Sequence, residues 1–463
     1  PFHRKLKKIY EMKSKSIIIT GCLLGVFVLF WLVSNLIAPL SVEHGENVAF
    51  AKYMAQGWMP YRDFAMTEGP VGIGILAVLY RIVGIGASSY WATACLVFVH
   101  LLNGWLLWKL MRRVSVEKVA AFVGLMFYLL LVYSSDGMML YMVPFAVSFL
   151  LGACLLILQR TKRGLVGAGI CYALALGCQA QAIFLLPILT ALVLWKGKQN
   201  RFHLEKGLLF VGISLLLTAA GYVGMTMLSG NTEWGDALFP MQELDPYQTI
   251  KKQWIEKAVY MVIQGGRCSL FFLLALPWVW KKLNIHGKRF ALLAIGAFIC
   301  YLGLFYFKVE VAQGMLVYPF VTIALAHILQ SISNRFGAIA MAIAVLLIPG
   351  ALTLREFRKL DMGQVKAEQQ EELVALKEIV TQSGTAIVKF GECVEYELGP
   401  QIFAELPQLL PLKNDTDWEK ADYIILTESG FSEVSSSEES EAFIECISER
   451  KSYGTGNYLI YVR

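Results

Sequence analysis

Residues 43–70 read EHGENVAFAKYMAQGWMPYRDFAMTEGP and form a polar loop, rich in carboxylates, directly after a hydrophobic run of membrane-spanning length. Ionisable side chains are costly to keep beside a bilayer, so such a cluster at the mouth of a membrane protein indicates a functional site. A solvated connection between two helices is the alternative, because loops are normally polar. The composition of the chain around this loop favours the functional interpretation.

Hydrophobic composition and its distribution predict a polytopic membrane protein. Apolar residues occupy 57% of the 463 positions and charged residues 16%, whereas soluble domains carry about 25% charged residues. Several apolar runs approach the roughly 20 residues that cross a bilayer. The runs are 16–38, 88–110, 119–133, 139–158, 165–177, 182–195, 207–228, 259–280, 290–307, 315–329 and 336–354. We predict about eleven transmembrane helices, with the two shortest runs forming either a tight hairpin or one re-entrant element.

Lys and Arg residues concentrate in alternate short loops, and this asymmetry sets the predicted orientation. Residues 6–15, 159–163 and 281–289 are basic, whereas 134–139 and 177–182 contain no Lys or Arg. The N-terminus is therefore predicted to be cytoplasmic, and the first loop and everything after Arg355 extracytoplasmic. The basic start also resembles a signal peptide, but its hydrophobic run is long and lacks a cleavage site, which favours a retained helix in the cell membrane. The net charge of +6 reflects this topology, and no nucleic-acid partner is expected.

The chain divides into an all-α membrane domain, residues 1–356, and a polar tail, residues 357–463. The membrane domain includes an external loop, 39–87, in which residues 69–84 are predicted to lie as a helix in the outer interface. The tail alternates helical and strand-like runs, which predicts a small extracytoplasmic α/β domain. The expected helices cover 364–381 and 437–450, and the strand-like runs are 385–390, 422–428 and 458–463. Without a nucleotide or metal motif, this domain is expected to dock or shape an acceptor.

The first loop holds the residue types needed to transfer a group from a lipid phosphate. A carboxylate at the membrane surface serves as general base for an acceptor hydroxyl, or holds a divalent cation beside a phosphate. Glu43 and Glu46 are the candidates, and no metal ligand set is assigned because the sequence does not require a cation. Arg62 offers a planar fork suited to phosphate; alternatively, it pairs with Asp63 or Glu68 and holds the loop.

The loop resembles the first extracytoplasmic loop of the GT-C superfamily of polyprenyl-phosphate-sugar-dependent membrane glycosyltransferases. It is most similar to the bacterial branch related to protein O-mannosyltransferases and aminoarabinose transferases. That branch reads Asp-Glu-Gly-Glu or Asp-Glu-x-x, then an alanine-rich helix, Leu-x-x-Gly, Pro-Tyr-x-Asp and Gly-Pro. With Gly57 on the family glycine, Pro60, Tyr61, Asp63 and the pair at 69–70 match without gaps.

The resemblance implies roles for individual residues and also shows a departure. Glu43 falls on the family's catalytic aspartate, His44 on the following glutamate, and Glu46 on the fourth position. Either Glu43 acts as the base, or Glu46 has taken the role, or the enzyme is impaired; Glu43 ranks first and Glu46 second. The resemblance also makes the first-loop residues His44, Tyr61, Arg62, Asp63 and Glu68 candidates for substrate binding.

Four residues outside the first loop are weaker candidates for substrate binding. Asp136 lies at the external end of the third span, where family members often carry an acid, although it also suits a helix N-cap. Lys308 and Gln313 precede a Tyr-Pro segment similar to a late external loop of the family. Lys308 or Arg267 is expected to bind the lipid phosphate, and snorkelling at a helix end explains Lys308 equally well.

The predicted function is an inverting glycosyltransferase that moves a sugar from a polyprenyl-phosphate carrier to an extracytoplasmic acceptor. The acceptor is an envelope glycan, a lipid or a protein, and the bilayer is a further partner. One alternative is a transporter or flippase, but those proteins place charges near the bilayer midplane and contain repeated halves, and neither feature is visible here. A non-catalytic scaffold derived from the same fold is the second alternative, which the missing aspartate allows.

Overall fold

The computed structural model describes most of the chain, with gaps. The described residues are 25, 29, 42–64, 66, 69–133, 140–195, 204–230, 276–303, 311–332, 337–344, 346–347, 350–351, 362–389, 401–406, 408–411, 418–435, 440–455 and 458–463. The first predicted span, 16–38, lies almost entirely outside this set, as does most of 259–280. The predicted domain boundary at 356–357 also lies outside the described residues.

Helices follow one another through the first part of the chain. They are α1 (Val42–Ala55), α2 (Pro70–Val83), α3 (Tyr90–Arg113), α4 (Lys118–Tyr133), α5 (Val143–Ile157), α6 (Lys162–Cys178), α7 (Leu186–Leu194), α8 (Leu204–Ser229), α9 (Leu276–Val279), α10 (Ile285–Gly303) and α11 (Tyr318–Ser331). The 3₁₀ helices Ala180–Leu185 and Val311–Leu316 lead into α7 and α11, and residues 337–344 are also helical.

Most predicted hydrophobic runs coincide with these helices. The two short runs, 165–177 and 182–195, become separate helical elements joined at Gln179, which is extended, so they do not form one continuous re-entrant helix. Helix α5 begins four residues later than the run at 139–158. Its start is set by Pro144 in the first turn, where a missing N–H leaves no hydrogen bond unmade.

Exposed apolar surface indicates that this helical part lies in a membrane. Two described helices, α3 and Leu204–Leu228 of α8, are long and apolar enough to cross a bilayer. Helix α8 leaves Leu216 71% and Met227 80% exposed, and α3 exposes Phe98 and Trp105. Contiguous apolar surface of this kind is unfavourable in water and typical of lipid contact. The number of spans, about eleven, stays a prediction.

The tail contains a five-stranded mixed sheet in the order β2-β1-β3-β5-β4. Its elements are α12 (Met362–Ile379), β1 (Gly384–Lys389), α13 (Gln401–Glu405), β2 (Leu409–Pro411), a 3₁₀ turn (Trp418–Lys420), β3 (Tyr423–Thr427), α14 (Glu428–Ser435), α15 (Ser440–Ser448), β4 (Lys451–Thr455) and β5 (Tyr458–Val462). Strands β1, β2 and β3 are parallel, and β5 joins β3 and β4 in antiparallel pairs.

Both faces of this sheet are covered, as the pattern of β3 requires. Ile425 contributes to a core with Leu376 of α12 and Ile402 of α13, whereas Ile424 packs in a second core with Phe443 of α15. Successive strand residues point to opposite faces, so a strand buried on both sides is continuously apolar. Helices α12 and α15 and strands β1, β3 and β5 coincide with the predicted runs, whereas the shorter β2, β4, α13 and α14 were not anticipated.

Candidate active-site loop

The candidate catalytic carboxylates lie at the start of α1. Glu43 is the second residue of this helix and Glu46 is the fifth. Asn47 comes one turn after Glu43, so helical periodicity places both on the same side of α1. The first turn of a helix carries unpaired backbone N–H groups and a partial positive charge, which favours the ionised form of a carboxylate. A general base must be ionised before it accepts a proton, so this position suits the role.

Asn47 connects this side of α1 to the neighbouring segment. Its side-chain amide is buried and donates a hydrogen bond to the Leu140 carbonyl at 2.7 Å. Leu140 follows residues 134–139, which include Asp136 and lie outside the described residues. The Oδ1 atom of Asn47 has no hydrogen-bond partner among the described residues. The structure therefore brings α1 next to Leu140, just before the start of α5.

His44 lies on another face of α1 and makes a buried contact between helices. Its Nε2 atom lies 3.4 Å from both the Ser89 carbonyl and the Thr93 hydroxyl, at the start of α3. Burial lowers the pKa of His44 to about 4, with a smaller opposing effect from the Ser89 hydrogen bond. The imidazole is therefore neutral near pH 7. The sequence predicted His44 to bind substrate. In the structure, the His44 side chain connects α1 to α3.

Lys52 continues the face of His44 and reaches the tail. It is 1% exposed and donates a hydrogen bond to the carbonyl of Ala404 in α13. Its ammonium also lies 5.1 Å from the centroid of the Tyr80 ring, within the range of a cation–π contact. Burial lowers the pKa of Lys52 to about 8, and the nearby Glu405 carboxylate opposes that shift.

Glu405 completes a contact between the first loop and the tail. One of its oxygens accepts hydrogen bonds from the Ser89 backbone N–H, at 3.2 Å, and from the Ser89 hydroxyl. Its other oxygen lies 3.8 Å from the Lys377 ammonium. We call the set His44, Lys52, Ser89, Ala404 and Glu405 the tail contact. It places the sheet domain at the same end of the helical part as α1.

Helix α1 ends in hydrogen bonds that explain Gly57. The N–H of Trp58 donates to the Tyr53 carbonyl at 3.0 Å, and that of Gly57 donates to the Met54 carbonyl at 3.1 Å. These are the two bonds of a Schellman motif, which places its C′ residue in the left-handed region. Gly57 has φ +97°, which glycine adopts without steric strain because it has no Cβ atom. Arg81 of α2 donates to the carbonyls of Met54 and Ala55 and caps the same end.

The Pro-Tyr-x-Asp segment folds into a compact turn. The Tyr61 N–H donates to the Phe64 carbonyl at 2.9 Å, and Tyr61 is buried with φ +65°. The Asp63 carboxylate accepts a hydrogen bond from the Met59 N–H at 2.7 Å. Tyr61 and Asp63 thus stabilise the shape of the loop. This structural role in the turn is sufficient to account for the Pro-Tyr-x-Asp pattern.

Arg62 and Asp63 form a bidentate ion pair. The Nε and one terminal nitrogen of Arg62 each donate to a different Asp63 oxygen at 2.8 Å. The hydrogen bonds and charge of Asp63 raise the pKa of Arg62, which is fully ionised at any working pH. The side chain of Arg62 is 51% exposed. The structure therefore shows the pairing expected of a loop-holding Arg62, with the guanidinium still open to solvent.

The Gly-Pro pair marks a close approach between two helices. A Cβ added to Gly69 would overlap the Cys178 carbonyl and lie 2.5 Å from the Gly177 carbonyl oxygen. Pro70 then occupies the first turn of α2, where its fixed φ suits a helix start. The loop thus returns to the helical part by passing directly over the C-terminal end of α6.

Several predicted site residues lie outside the described residues, namely Glu68, Asp136, Arg267 and Lys308. Gln313 lies in the 3₁₀ helix Val311–Leu316 and Glu43 lies in α1, but the structure does not describe their side chains. Among the side chains that are described, no group of three His, Cys, Asp or Glu residues is arranged to hold a metal ion.

The structure also adds residues that sequence reasoning missed. Asn47 and Lys52 belong to an otherwise apolar part of α1, and a lone lysine in an alanine-rich helix was a visible signal that it has a buried partner. Ser89, Lys377 and Glu405 carried no such signal. Their importance depends on a contact between segments more than 300 residues apart in the chain.

Comparison with solved structures shows the fold. ArnT from Cupriavidus metallidurans bound to undecaprenyl phosphate aligns with a TM-score of 0.60 at 11% identity, over 95% of this chain and 97% of that chain. The apo state of the same protein aligns with a TM-score of 0.62 at 11% identity, over 97% and 98%. No family model and no curated protein matches the sequence. The chain therefore has the fold of this protein over most of its length, which confirms the fold that the resemblance of the first loop implies.

Proposed function

We propose that this protein is an inverting glycosyltransferase that uses a polyprenyl-phosphate-linked sugar as donor. The observation that carries the proposal is the ArnT fold over nearly the whole chain, combined with the first-loop carboxylates at the start of α1. ArnT, an aminoarabinose transferase, has been solved with undecaprenyl phosphate bound, which is the carrier expected after sugar transfer. The acceptor is an extracytoplasmic hydroxyl on a glycan, lipid or protein.

The proposed reaction is a single displacement at the anomeric carbon. A carboxylate of α1 takes the proton of the acceptor hydroxyl while its oxygen forms a bond to that carbon. The bond between the carbon and the phosphate oxygen breaks, and polyprenyl phosphate leaves with the electron pair. The sugar inverts its configuration, because attack and departure occur on opposite faces of the ring.

Glu43 is the proposed base and Glu46 the second choice. Glu43 falls on the family aspartate position. Glu46 is half-buried in the same helix and has interactions of its own within the fold. The Glu43 side chain is longer than that of the family aspartate by one methylene.

The tail is proposed to shape the acceptor side of this site. The tail contact holds the sheet domain against the face of α1 that carries His44 and Lys52. By helical periodicity, Glu43 lies about halfway around α1 from Lys52. We propose, from the Lys and Arg asymmetry, that the catalytic end and the tail lie together outside the cytoplasm.

Purified protein supplied with polyprenyl-phosphate sugars tests the proposal directly. We expect time-dependent release of polyprenyl phosphate that requires an acceptor extract, measured by mass spectrometry. Envelope glycans from cells with and without the gene should differ by one sugar substituent. Donor translocation across liposomes without any transfer product would instead favour a flippase. Donor binding without either activity would favour a non-catalytic scaffold.

A further inference from the structure

A basic cleft lies far from the first loop, where the ends of several helices meet. It has about 620 Å³ of empty space, counted with its open mouth. Arg160, Lys206, His286 and Arg289 supply its polar lining. Apolar side chains form the remaining walls; they are Ile157, Leu158, Leu165, Leu192, Val193, Trp195 and Phe290. None of these described lining residues is acidic.

Arg289 shows that the cleft is built rather than incidental. Its side chain belongs to a residue that is only 5% exposed, and its guanidinium lies 5.3 Å from the centroid of the Trp195 ring. Within the described part of the chain, its Nε atom has no hydrogen-bond partner. A buried guanidinium N–H without a hydrogen-bond partner is unfavourable by itself, so an anion or an ordered polar group beside it is favourable.

Among the described residues, the ionisable groups that act on Arg289 and His286 are basic. Arg160 and Arg289 both lie within electrostatic reach of His286, and Arg160 is within reach of Arg289. No described acid forms an ion pair with any of the three or with Lys206. Glu205 neighbours Lys206 but is exposed and does not line the cleft. Like charges gathered without counterions repel each other, and a bound anion would relieve that repulsion.

Helix ends increase the positive potential of the cleft. Lys206 lies in the first turn of α8, and His286 and Arg289 lie near the start of α10. Cations are unfavourable at helix N-termini, where the macrodipole is positive, and anions are favourable there. These basic residues therefore do not stabilise the helices that carry them. Together with the positive ends of the two helices, they favour a negatively charged ligand in the cleft.

The fold places the cleft at the opposite end of the helical part from the candidate active site. Helix α5 begins beside Asn47 of the first loop and ends at Ile157 in the cleft wall. Helix α6 returns from the cleft to Gly69, where Cys178 meets the loop. A 15-residue helix is about 22 Å long. The cleft therefore lies near the other membrane surface, the one predicted to be cytoplasmic.

We infer that this cleft binds the phosphate headgroup of an anionic membrane phospholipid. The cations would hold the phosphate, Arg289 through the donors it does not otherwise use. The apolar wall residues would continue toward the acyl chains. Basic pockets between helices on the cytoplasmic side of membrane proteins recognise lipids of this class.

Native mass spectrometry of the full chain in detergent tests the inference, with phosphatidylglycerol or phosphatidylcholine added in equal amounts. We expect retention of phosphatidylglycerol in preference to phosphatidylcholine. Arg160→Gln and Lys206→Gln should each weaken that retention by about fivefold, the effect of roughly 1 kcal/mol per charge near the surface. Arg289→Gln should weaken it further, and the two rim variants keep the test valid if this buried substitution prevents folding.

Lys162→Gln is the matched control, because Lys162 is exposed at the same end of the molecule but does not line the cleft. It should leave retention unchanged. An equal loss in this control would mean diffuse surface charge and would overturn the inference. Inorganic phosphate is the second probe. Phosphate binding without any preference for phosphatidylglycerol would also overturn it, by assigning the cleft to a soluble anion. Both readouts are independent of sugar transfer.

Discussion

At the residue scale, α1 separates two kinds of chemistry on one short helix. Asn47 donates to the Leu140 carbonyl, whereas His44 and Lys52 make buried contacts with α3 and the tail. The side chains of the second group are held by neighbouring elements. This division explains how an acid-to-histidine change at position 44 is compatible with the fold, because a neutral imidazole fits a buried contact that a carboxylate would not.

Substitution of the proposed base gives the most direct prediction at this scale. Glu43→Gln should lower the rate of sugar transfer by about 10² to 10⁴-fold, because the amide cannot accept the acceptor proton. Expression and donor binding should stay nearly unchanged. Glu43→Asp should retain activity, since it restores the family residue. The rate is measured as polyprenyl phosphate released by purified protein.

Glu46→Gln is the control for that experiment and should transfer sugar at a rate near that of the unmodified protein. An inactive Glu46→Gln beside an active Glu43→Gln would show that the register assigned to the first loop is wrong.

The buried His44 predicts a dependence of stability on pH. Its pKa is 6.5 in the unfolded chain and about 4 in the folded protein. Between these values the unfolded state binds a proton that the folded state does not, so the free energy of unfolding falls as the pH falls. The slope is at most roughly 1.4 kcal/mol per pH unit from this side chain.

Thermal unfolding of the detergent-solubilised protein at about pH 7 and about pH 5, within the range of this titration, measures the effect. His44→Gln keeps a polar side chain at the contact but removes the titrating group, so its loss of stability on acidification should be smaller. An identical loss in both proteins would assign the pH dependence to other groups.

At the element scale, the first loop depends on two glycines with different requirements. Gly57 provides a left-handed backbone at the end of α1, and Gly69 allows the loop to cross the end of α6. Gly69→Ala should destabilise the protein by about 1 to 3 kcal/mol, the usual cost of overpacking, because its methyl group meets backbone carbonyls that cannot rotate away. The midpoint of thermal unfolding measures this change.

Gly221→Ala in α8 is the matched control, since a Cβ there meets nothing within 4 Å. Alanine is favoured over glycine in a helix by about 1 kcal/mol, so this variant should be neutral or more stable. If Gly69→Ala proves as stable as Gly221→Ala, the close approach to Cys178 is not a feature of the folded protein.

The tail contact gives a second prediction at the scale of elements. Glu405→Gln removes the charge that accepts two hydrogen bonds from Ser89 and that stabilises the buried Lys52 ammonium. Hydrogen bonds to charged groups contribute about 1.5 to 3 kcal/mol, so docking of the tail should weaken by a similar amount. Limited proteolysis should then cleave the tail from the helical part more rapidly.

Glu419→Gln is the appropriate comparison, because Glu419 is an exposed acid of the same tail. It should be cleaved at the rate of the unmodified protein. If the unmodified protein and both variants were cleaved at the same rate, contacts other than that of Glu405 would hold the tail.

At the scale of the whole molecule, α5 and α6 connect two chemically different ends. One end carries the first loop and the tail, and the other carries the basic cleft. The Lys and Arg asymmetry predicts that the first end is extracytoplasmic. A cysteine introduced at Glu419 should therefore react with a membrane-impermeant reagent on intact cells, and one at Lys162 only after permeabilisation.

The opposite labelling pattern would reverse the orientation and place the candidate active site in the cytoplasm. Labelling of both positions from the same side would contradict the arrangement of α5 and α6. Glu419 and Lys162 are both exposed, so burial should not prevent the reagent from reaching a cysteine at either position.

Much of the helical part was predictable from the sequence, because apolar runs of suitable length report burial in lipid whatever their neighbours are. Helix α1 was recognisable from its alanine-rich pattern between Glu43 and Gly57. The tail strands β1, β3 and β5 were visible as continuous apolar runs, whereas β2 and β4 are three and five residues long and carry no comparable pattern. The pairing of Arg62 with Asp63 was one of the alternatives that the sequence offered, whereas the role of His44 was not predictable, because it depends on which partner the folded chain supplies.

The sequence by itself determined the membrane class, the approximate spans and the position of the carboxylate loop. Those properties follow from local composition, since transfer of a segment into lipid depends on its own side chains. Only the tertiary structure decided that α1 is held between α3 and the tail, and that four basic residues from three separate parts of the chain share one cleft. Those features depend on distances between residues remote in the chain, and only packing brings such residues together.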